Sequence, residues 1–348
     1  MENEQIKAIV LAAGKGTRMK SKKAKVMHEV FFAPMLQHVL NAITPLTLQG
    51  TVVVTGHQAE TIEESLAGFN VAFARQEQQN GTAHAVLAAE DLFSDFAGTV
   101  LILCGDTPLV QSETLQAMLT AHSSSKAILT VMTTKMADPA NYGRIITDDQ
   151  GNLLRIVEEK DASAVEKEIN EINAGIYCVD GTFLFKGLRG IGSDNRQGEF
   201  YLTDLIEIAR SDGFAINRHV CADPDEVLGV NSRVDLAGAH RALQERRNRQ
   251  LMMAGVTIIG PDSVDISLEV EVGPDCEIGR NVIVSGRSVL GSECLVGSNT
   301  IIRDCQIGDR VEIGPLCCLE DCNIEDHSSV ETGTIMIGER KTIGGSGK

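Results

Sequence analysis

A glycine-rich segment near the start of the chain carries the residues best suited to phosphate chemistry. Residues 11–19 include Gly14, Gly16 and Arg18, and Lys25 follows shortly after. The segment comes directly after a short apolar run, and backbone N–H groups in such a loop bind phosphate oxygens. Two nearby cations can neutralise charge that shifts between phosphates. The pattern predicts a triphosphate site; the alternative is a tight glycine turn flanked by solvated cations.

Two common phosphate-binding loops do not match this segment. The dinucleotide fingerprint needs a third glycine where Met19 stands. The P-loop needs lysine and then serine or threonine after its second glycine, whereas Thr17 and Arg18 follow Gly16. The segment therefore predicts a loop that wraps a triphosphate with two cations of its own.

The elements that must position this loop alternate up to about residue 230. Predicted strands cover residues 6–10, 51–55, 99–103 and 128–132, and predicted helices cover 35–43, 82–92 and 201–209. Such alternation predicts an α/β fold with a mostly parallel, Rossmann-like sheet and helices on both faces. Ligands of these sheets bind at the carboxyl ends of the strands, where the glycine-rich segment and the pair Gly105 and Asp106 both fall.

The second half of the chain has a different period. Aliphatic residues recur every six positions and resume after a one-residue slip: Val272, Ile278, Val284, Leu290, Val296 and Ile302, then Ile307, Ile313 and Leu319. This hexapeptide period predicts a short left-handed parallel β-helix, since an ordinary β-sandwich has a period of two. The predicted organisation is a domain at 1–230, a connecting helix at 231–255 and the β-helix at 256–348.

Composition excludes several classes of protein. The formal net charge of −17 argues against a nucleic-acid or anionic-membrane surface. We expect neither a signal peptide nor a membrane span. The nine cysteines show no C-x-x-C pattern, which favours reduced thiols and a cytoplasmic protein. A metal cluster of Cys318, Cys322 and His327 is the alternative to small apolar core residues, and its spacing is irregular for zinc.

Further motifs follow the glycine-rich segment in chain order. They are residues 25–28, Gln76, 79–84, Gly105 with Asp106, 142–144, 156–161, 171–175, 197–204 and 229–233. Together they resemble the uridylyltransferase half of the bifunctional N-acetylglucosamine-1-phosphate uridylyltransferase / glucosamine-1-phosphate acetyltransferase family. The resemblance covers the whole first half of the chain and enters the hexapeptide region.

The resemblance implies an enzyme that joins N-acetylglucosamine 1-phosphate to UTP and releases pyrophosphate, supplying UDP-N-acetylglucosamine for bacterial envelope polymers. It implies that uridine and its phosphates contact Leu11, Ala12, Ala13, Gly14, Lys25, Gln76, Gly81 and Thr82. It implies a sugar site formed by Cys104, Gly105, Asp106, Gly143, Glu158, Asn173 and Asn231. A glutamine suits the base, because its amide pairs with donor and acceptor edges. His84 beside this loop is interpreted as a packing residue.

Catalysis in this family needs alignment and charge neutralisation, because a sugar phosphate is already an ionised nucleophile. Arg18 is assigned to the leaving phosphates, Lys25 to the phosphate between the two substrates, and Asp106 to the metal. Mg²⁺ prefers oxygen ligands, and Asp106 with Asn231 would supply two. A strand-end cap is the structural alternative for Asp106.

Two departures from the family bear on function. Ala24 stands where the family usually has proline, which is expected to loosen the loop before Lys25, and the chain has fewer hexapeptide coils than the family. Acetyltransferase activity is therefore expected to be absent. Homotrimer and monomer stay open. The rival functions are transfer to another sugar 1-phosphate or from another nucleotide, and a non-catalytic nucleotide-binding scaffold.

Overall fold

The computed structural model describes residues 5–338 and 342–343. The chain divides into two compact units, one formed mainly by residues up to Asp235 and the other by residues from Leu236 onward, with Val30–Phe32 grouped with the second. Within the described residues, no helix is both long and apolar enough to cross a membrane.

The strands and α-helices up to residue 253 mostly alternate along the chain, with three strands in succession at β1–β3 and at β7–β9. The strands are β1 (Ile6–Leu11), β2 (Glu29–Val30), β3 (Ala33–Pro34), β4 (Gly50–Thr55), β5 (Ala72–Arg75), β6 (Thr99–Cys104), β7 (Leu129–Lys135), β8 (Arg144–Thr147), β9 (Leu153–Val157), β10 (Glu171–Asp180) and β11 (Ile216–Val220). The helices are α1 (Met35–Ile43), α2 (Ala59–Ser65), α3 (Thr82–Leu87), α4 (Ser112–Ser125), α5 (Ala164–Lys167), α6 (Gly181–Leu188), α7 (Leu205–Ser211) and α8 (Arg233–Met253).

The main sheet has the strand order β11-β7-β10-β6-β1-β4-β5, with β8 and β9 attached beside β10. Strands β1, β4, β5 and β6 pair in parallel, as do β7 and β11. Strand β10 runs antiparallel to both β6 and β7. The sheet is therefore mixed, and the predicted Rossmann-like fold class is confirmed, with β10 reversed between β7 and β6 and β9 reversed beside β8.

Alternate side chains of the central strands enter two separate cores. Ile9 packs on one face of the sheet, and Ala8 and Val10 pack on the other, because successive side chains of a strand point to opposite faces. All three side chains are fully buried. Burial on both faces explains why the strand is a continuous apolar run, as expected for a central parallel strand.

Two predicted helices are shorter in the structure than in the sequence pattern. The segment predicted at 82–92 is α3, followed by a separate 3₁₀ turn at Glu90–Phe93. The break directs Phe93 into the core, where its ring meets those of Phe96 and Phe185. The segment predicted at 201–209 begins as a 3₁₀ turn and becomes helical only at α7.

In its described residues, the second unit contains fifteen short strands: β12 (Thr257–Ile258), β13 (Asp265–Ile266), β14 (Glu271–Val272), β15 (Glu277–Ile278), β16 (Ile283–Ser285), β17 (Val289–Leu290), β18 (Leu295–Val296), β19 (Ile301–Arg303), β20 (Gln306–Ile307), β21 (Glu312–Ile313), β22 (Cys318–Glu320), β23 (Asn323–Ile324), β24 (Ser329–Val330), β25 (Ile335–Ile337) and β26 (Thr342–Ile343). They form three five-stranded parallel sheets in which every third strand pairs, for example β12-β15-β18-β21-β24. This is a parallel β-helix, as predicted.

The predicted aliphatic residues fill this β-helix, and all except the half-buried Val272 are buried. The glycines that follow them allow neighbouring coils to pack closely. A Cβ on Gly297 would lie 2.4 Å from the backbone nitrogen of Pro315 on the next coil. Left-handed backbone occurs instead at residues such as Asn299, with a φ of 61°. Glycine here permits close approach of coils, and polar residues turn the corners.

All nine cysteines are free thiols. Cys322 lies in the apolar interior of the β-helix, Cys318 is half-buried and His327 is exposed. Within the described part of the chain, no group of three His, Cys, Asp or Glu residues could hold a metal ion. The cysteines of the β-helix are thus accounted for as small apolar core residues.

Candidate active site

A cavity of about 480 Å³ opens where β1 and β6 end. Its walls include all the residues predicted to contact the nucleotide: Leu11, Ala12, Ala13, Gly14, Lys25, Gln76, Gly81 and Thr82. They also include Arg18 and three residues predicted for the sugar or the metal, Cys104, Asp106 and Asn231. The site therefore lies at the carboxyl ends of parallel strands, where α/β sheets bind ligands.

Gly16 and Lys25 fix the path of the glycine-rich loop. Gly16 has a left-handed φ of 60°, and a Cβ added there would lie 2.4 Å from the Cβ of Lys25. Any larger residue at position 16 would collide with the lysine and strain the backbone. The second glycine of the motif is thus required by the chain segment that passes behind it.

Gln58 holds the segment that leads into Lys25. Its Oε1 accepts a hydrogen bond from the backbone N–H of Ala24 at 2.6 Å, and its Nε2 donates to the carbonyl of Lys22 at 2.8 Å. Ala24 itself is buried. Alanine in place of proline at position 24 is predicted to loosen this segment. The two hydrogen bonds from the Gln58 amide restrain it instead.

Two oxygens and two cations meet at the floor of the cavity. The ammonium of Lys25 contacts Oδ2 of Asp106 and donates to Oδ1 of Asn231 at 2.6 Å. Nη2 of Arg18 donates to the same Asn231 oxygen at 2.8 Å. Residues from three distant parts of the chain thus converge on one point, and the predicted catalytic and metal-binding residues are in direct contact.

Backbone hydrogen bonds position the two oxygens. The N–H of Gly105 donates to the carbonyl of Leu11 at 2.9 Å, which ties the end of β6 to the end of β1. The N–H of Val230 donates to the carbonyl of Asp106 at 2.9 Å and places Asn231 beside it. Asp235 accepts from the N–H of Asn231 at 2.9 Å and holds this turn at the start of α8.

Gly105 allows the ends of β1 and β6 to pack closely. It does not line the cavity, and a Cβ there would lie 3.0 Å from both the carbonyl of Leu11 and Cδ1 of Leu36. The close approach that this glycine allows is therefore between strand ends.

The predicted uridine residues form one wall of the cavity. Gln76 is only 4% exposed, and its Nε2 donates to the carbonyl of Gly81 at 3.0 Å. Gly81 has a φ of 113°, and a Cβ there would lie 2.4 Å from the carbonyl oxygen of Phe200. Oγ1 of Thr82 accepts from the N–H of Leu202 at 2.9 Å. These contacts join the segment 76–82 to the segment that precedes α7.

Three of the predicted sugar residues form a separate group beyond the lining of the cavity. The N–H of Asn173 donates to the carbonyl of Gly143 at 2.9 Å, and Oε1 of Glu158 lies 3.5 Å from where a Cβ of Gly143 would be. The Asn173 amide also donates to Oη of Tyr177 at 2.7 Å. Burial raises the pKa of Glu158, and a hydrogen bond from Thr203 partly opposes it.

Cys104 lies close enough to both the cavity floor and the predicted sugar residues for charges in each to affect its pKa. Burial, followed by the negative charge of Asp106, raises the pKa of its thiol to about 12, and Glu158 adds to this effect while Lys25 opposes it. The thiol donates to the carbonyl of Gly175 at 3.6 Å. A thiol with this pKa stays protonated at neutral pH, so Cys104 is a wall of the site and not a nucleophile.

Several further residues of the cavity wall carry no individually predicted role. They are Lys15, Gly16, Thr17, Val26, Gln79, Ala85 and Glu199. Glu199 belongs to a segment held by Asn195, whose Nδ2 donates to the Glu199 carbonyl at 2.6 Å. Glu199 and Gln79 fall within motifs recognised in the sequence, so the signal was present, but alternation and spacing did not indicate which side chains point inward.

Asp204 gives a stability prediction next to this site. Burial, then the charges of Glu207 and Asp161, raises its pKa from 3.8 to about 6. A carboxyl whose pKa is raised by folding contributes its stability below the unfolded pKa and loses it as pH rises through the folded pKa. We expect Asp204→Asn to be more stable than the parent at pH 7.5, by up to about 3 kcal/mol, and about as stable as the parent at pH 4.

The exposed Asp212 at the other end of α7 provides the matched control, and Asp212→Asn should leave the pH dependence unchanged. Urea unfolding of the three proteins at a series of pH values measures the effect. An Asp204→Asn gain that is equally large at pH 4 would contradict the assigned cause.

This fold and this cavity define a nucleotidyl transferase. The nucleotidyl transferase family model matches residues 7–219, which contain most of the site. The bifunctional protein GlmU of Desulfotalea psychrophila is 46% identical over 91% of this chain and 93% of that protein. GlmU of Geotalea daltonii is 47% identical over 88% of this chain and 67% of its own length. GlmU of Listeria monocytogenes is 41% identical over 95% of this chain and 77% of its own length. The chain belongs to the GlmU family.

Proposed function

We propose that this protein catalyses the Mg²⁺-dependent transfer of a uridylyl group from UTP to N-acetylglucosamine 1-phosphate, releasing pyrophosphate. One observation carries the proposal: a single cavity joins the glycine-rich loop, a polar wall suited to a base, and a floor where Lys25, Arg18, Asp106 and Asn231 meet. The same floor would be unnecessary in a protein that only binds nucleotide.

The reaction is a single displacement at the α-phosphorus of UTP. An oxygen of the sugar phosphate forms the new P–O bond, the bond to the bridging oxygen breaks, and pyrophosphate leaves with that electron pair. No proton has to be removed from the nucleophile, which agrees with a floor that holds cations and a carboxylate rather than a nucleophile and its base. The protein's task is to align the two phosphates and to balance their charge.

Lys25 and Arg18 supply the positive charge that reaches the floor of the cavity. Lys25 is largely buried beside Asp106, so its ammonium is held at the level where the α-phosphate would meet its attacker. Arg18 is exposed and reaches the floor through the Asn231 oxygen, so its remaining donors are directed toward the outer phosphates. A guanidinium presents several donors in one plane and suits a departing pyrophosphate.

The oxygens of Asp106 and Asn231 fit a divalent cation. Both already converge on one cationic group, the ammonium of Lys25, so their geometry favours positive charge at that point. Two protein oxygens are the usual number for Mg²⁺, which otherwise keeps waters and substrate phosphates. When bound, Mg²⁺ would neutralise phosphate oxygens. Asp106 and Asn231 are the residues that would hold it.

Pyrophosphate release tests the proposal. The full chain is incubated with each pairing of UTP, CTP, dTTP and ATP with N-acetylglucosamine 1-phosphate or glucose 1-phosphate, with Mg²⁺ and with EDTA. Turnover is expected with UTP and the N-acetyl sugar, and only with Mg²⁺. Absence of turnover with every pair would overturn an enzymatic function, and a preference for glucose 1-phosphate would overturn the sugar assignment alone. The expected lack of acetyltransferase activity stays a prediction.

Gly14 offers a test of the loop that leaves the fold intact. A Cβ on Gly14 would meet no atom of the described structure within 4 Å, although Gly14 lines the cavity. We expect Gly14→Ala to keep the melting temperature of the parent and to weaken UTP binding about tenfold or more, because the methyl group occupies space that phosphate needs. Calorimetric titration with UTP measures the loss.

Gly192→Ala is the matched control, since Gly192 also has open space around it and lies outside the cavity wall. It should bind UTP like the parent. Equal UTP affinity in Gly14→Ala and Gly192→Ala would show that the loop does not surround the phosphates.

A further inference from the structure

The amide of Gln76 is held in one orientation by two acceptors. Its Nε2 lies 3.0 Å from the carbonyl oxygen of Gly81 and 3.1 Å from Nδ1 of His84. A carbonyl oxygen can only accept a hydrogen bond, so the atom of the Gln76 amide that faces it must be the nitrogen and not the oxygen. Both N–H bonds of the amide are thereby directed away from a base.

His84 must be an acceptor in this arrangement. Since Nε2 of Gln76 donates, Nδ1 of His84 carries no proton and the ring is the neutral tautomer protonated at its own Nε2. The ring is held beside Phe200, with 6.4 Å between the ring centroids. Helix α3, which begins at Thr82, places His84 on the turn next to the amide.

The oxygen of the Gln76 amide is left for a ligand. Gln76 lines the cavity, and among residues 5–338 no hydrogen-bond donor contacts its Oε1. This wall therefore presents the Oε1 acceptor of Gln76 to a ligand, while both N–H donors of the same amide are already used by Gly81 and His84. A carboxamide without such restraint could present either edge.

We propose that His84 is a positioning residue that fixes the Gln76 amide with its acceptor toward the base, and so selects a pyrimidine that carries N3–H. The inference rests on the proposed use of UTP. Uracil carries a hydrogen on N3, whereas N3 of cytosine is an acceptor, so the fixed oxygen attracts the first base and repels the second. An unpaired acceptor inside a largely buried site is costly, which makes one such atom an effective discriminator.

Two variants separate the acceptor from the bulk of His84. His84→Phe keeps a ring beside Phe200 but removes Nδ1, so the amide keeps only its hydrogen bond to the carbonyl of Gly81 and is held less firmly in the orientation that presents its oxygen. His84→Asn places an oxygen near the position of Nδ1 and should retain the orientation. His219→Phe, on strand β11 and outside the cavity wall, controls for the loss of a histidine.

The test is calorimetric binding of UTP and of CTP to each full-length protein, with melting temperatures measured alongside. We expect His84→Phe to reduce the preference for UTP over CTP about tenfold, the cost of one misdirected hydrogen bond. His84→Asn and His219→Phe should keep most of the preference. With UTP as substrate, KM should rise more than kcat falls in His84→Phe. An unchanged UTP preference in a folded His84→Phe protein would overturn the inference.

A measurement on the parent protein removes dependence on folding of the variant. Nitrogen-15 chemical shifts of the histidine rings, with His84 assigned by its loss in His84→Asn, report which nitrogen carries the proton. Protonation at Nε2 of His84 is expected, and protonation at Nδ1 would overturn the inference. If the parent itself binds CTP as well as UTP, there is no selection to explain and the inference fails, whereas the proposed uridylyl transfer fails only if UTP gives no release of pyrophosphate.

Discussion

Asp106→Ala is expected to lower kcat/KM for pyrophosphate release about 10³-fold and to remove the response to Mg²⁺. Oxygens of Asp106 and Asn231 converge at the cavity floor, and only that of Asp106 belongs to a charged group. A metal ion held there would contribute several kcal/mol to stabilising the charge of the transition state. The variant also leaves the largely buried ammonium of Lys25 with Asn231 alone. Initial rates over a Mg²⁺ titration measure the loss.

Asp106→Asn keeps the size of the side chain and one oxygen, so it separates charge from packing. It should melt close to the parent and still lose most of the Mg²⁺ response. Asp149→Ala, at an exposed position outside the cavity wall, is the control and should titrate like the parent. A Mg²⁺ dependence that survives in Asp106→Asn and Asp106→Ala would move the metal to other residues.

Arg18→Ala is expected to reduce kcat about 10²- to 10³-fold while KM for UTP changes less than tenfold. Charge builds up on pyrophosphate as it leaves, so a cation there stabilises the transition state more than the bound substrate. Arg18 is exposed, and its contact with Asn231 is the hydrogen bond that draws it to the floor. Stability should therefore change little.

Arg18→Lys keeps the charge but loses the planar set of donors, and should recover only part of kcat. Arg210→Ala, an exposed arginine of α7 outside the cavity wall, is the matched control. Steady-state kinetics in both substrates distinguish the outcomes. A large rise in KM with an unchanged kcat would assign Arg18 to substrate binding instead.

The pattern of apolar residues in the sequence correctly predicted those helices and strands whose side chains are buried continuously or at a strict period. The bounds of α1 and the six-residue aliphatic period agree closely with the structure. Strand β10 was not among the predicted strands, and its direction depends on which strands it pairs with rather than on its own residues. The end of α3 was placed too late because several alanines continue the helical pattern, whereas burial of Phe93 ends it.

The sequence indicated which residue types belong to the candidate site, but it did not indicate which of their side chains contact one another. Arg18 and Asn231 share a hydrogen bond although they lie far apart in the chain, and only the fold brings them together. His84 was interpreted as a packing residue, because a histidine in a short helix carries no sign of the amide it will meet. Gln58, which replaces the restraint of a proline, belongs to a different element from the loop it holds. Orientation of single side chains is settled by packing.

The fit between Gly16 and Lys25 bears on how relatives of this protein should be classified. The glycine is required because the Cβ of residue 25 passes 2.4 Å from where its own would be, and every residue except glycine has that carbon. A descendant that had lost its phosphate chemistry would therefore still keep this glycine for as long as it kept the backbone path. Gly16 therefore marks ancestry, whereas Gly14, the cations and the carboxylate mark a working enzyme.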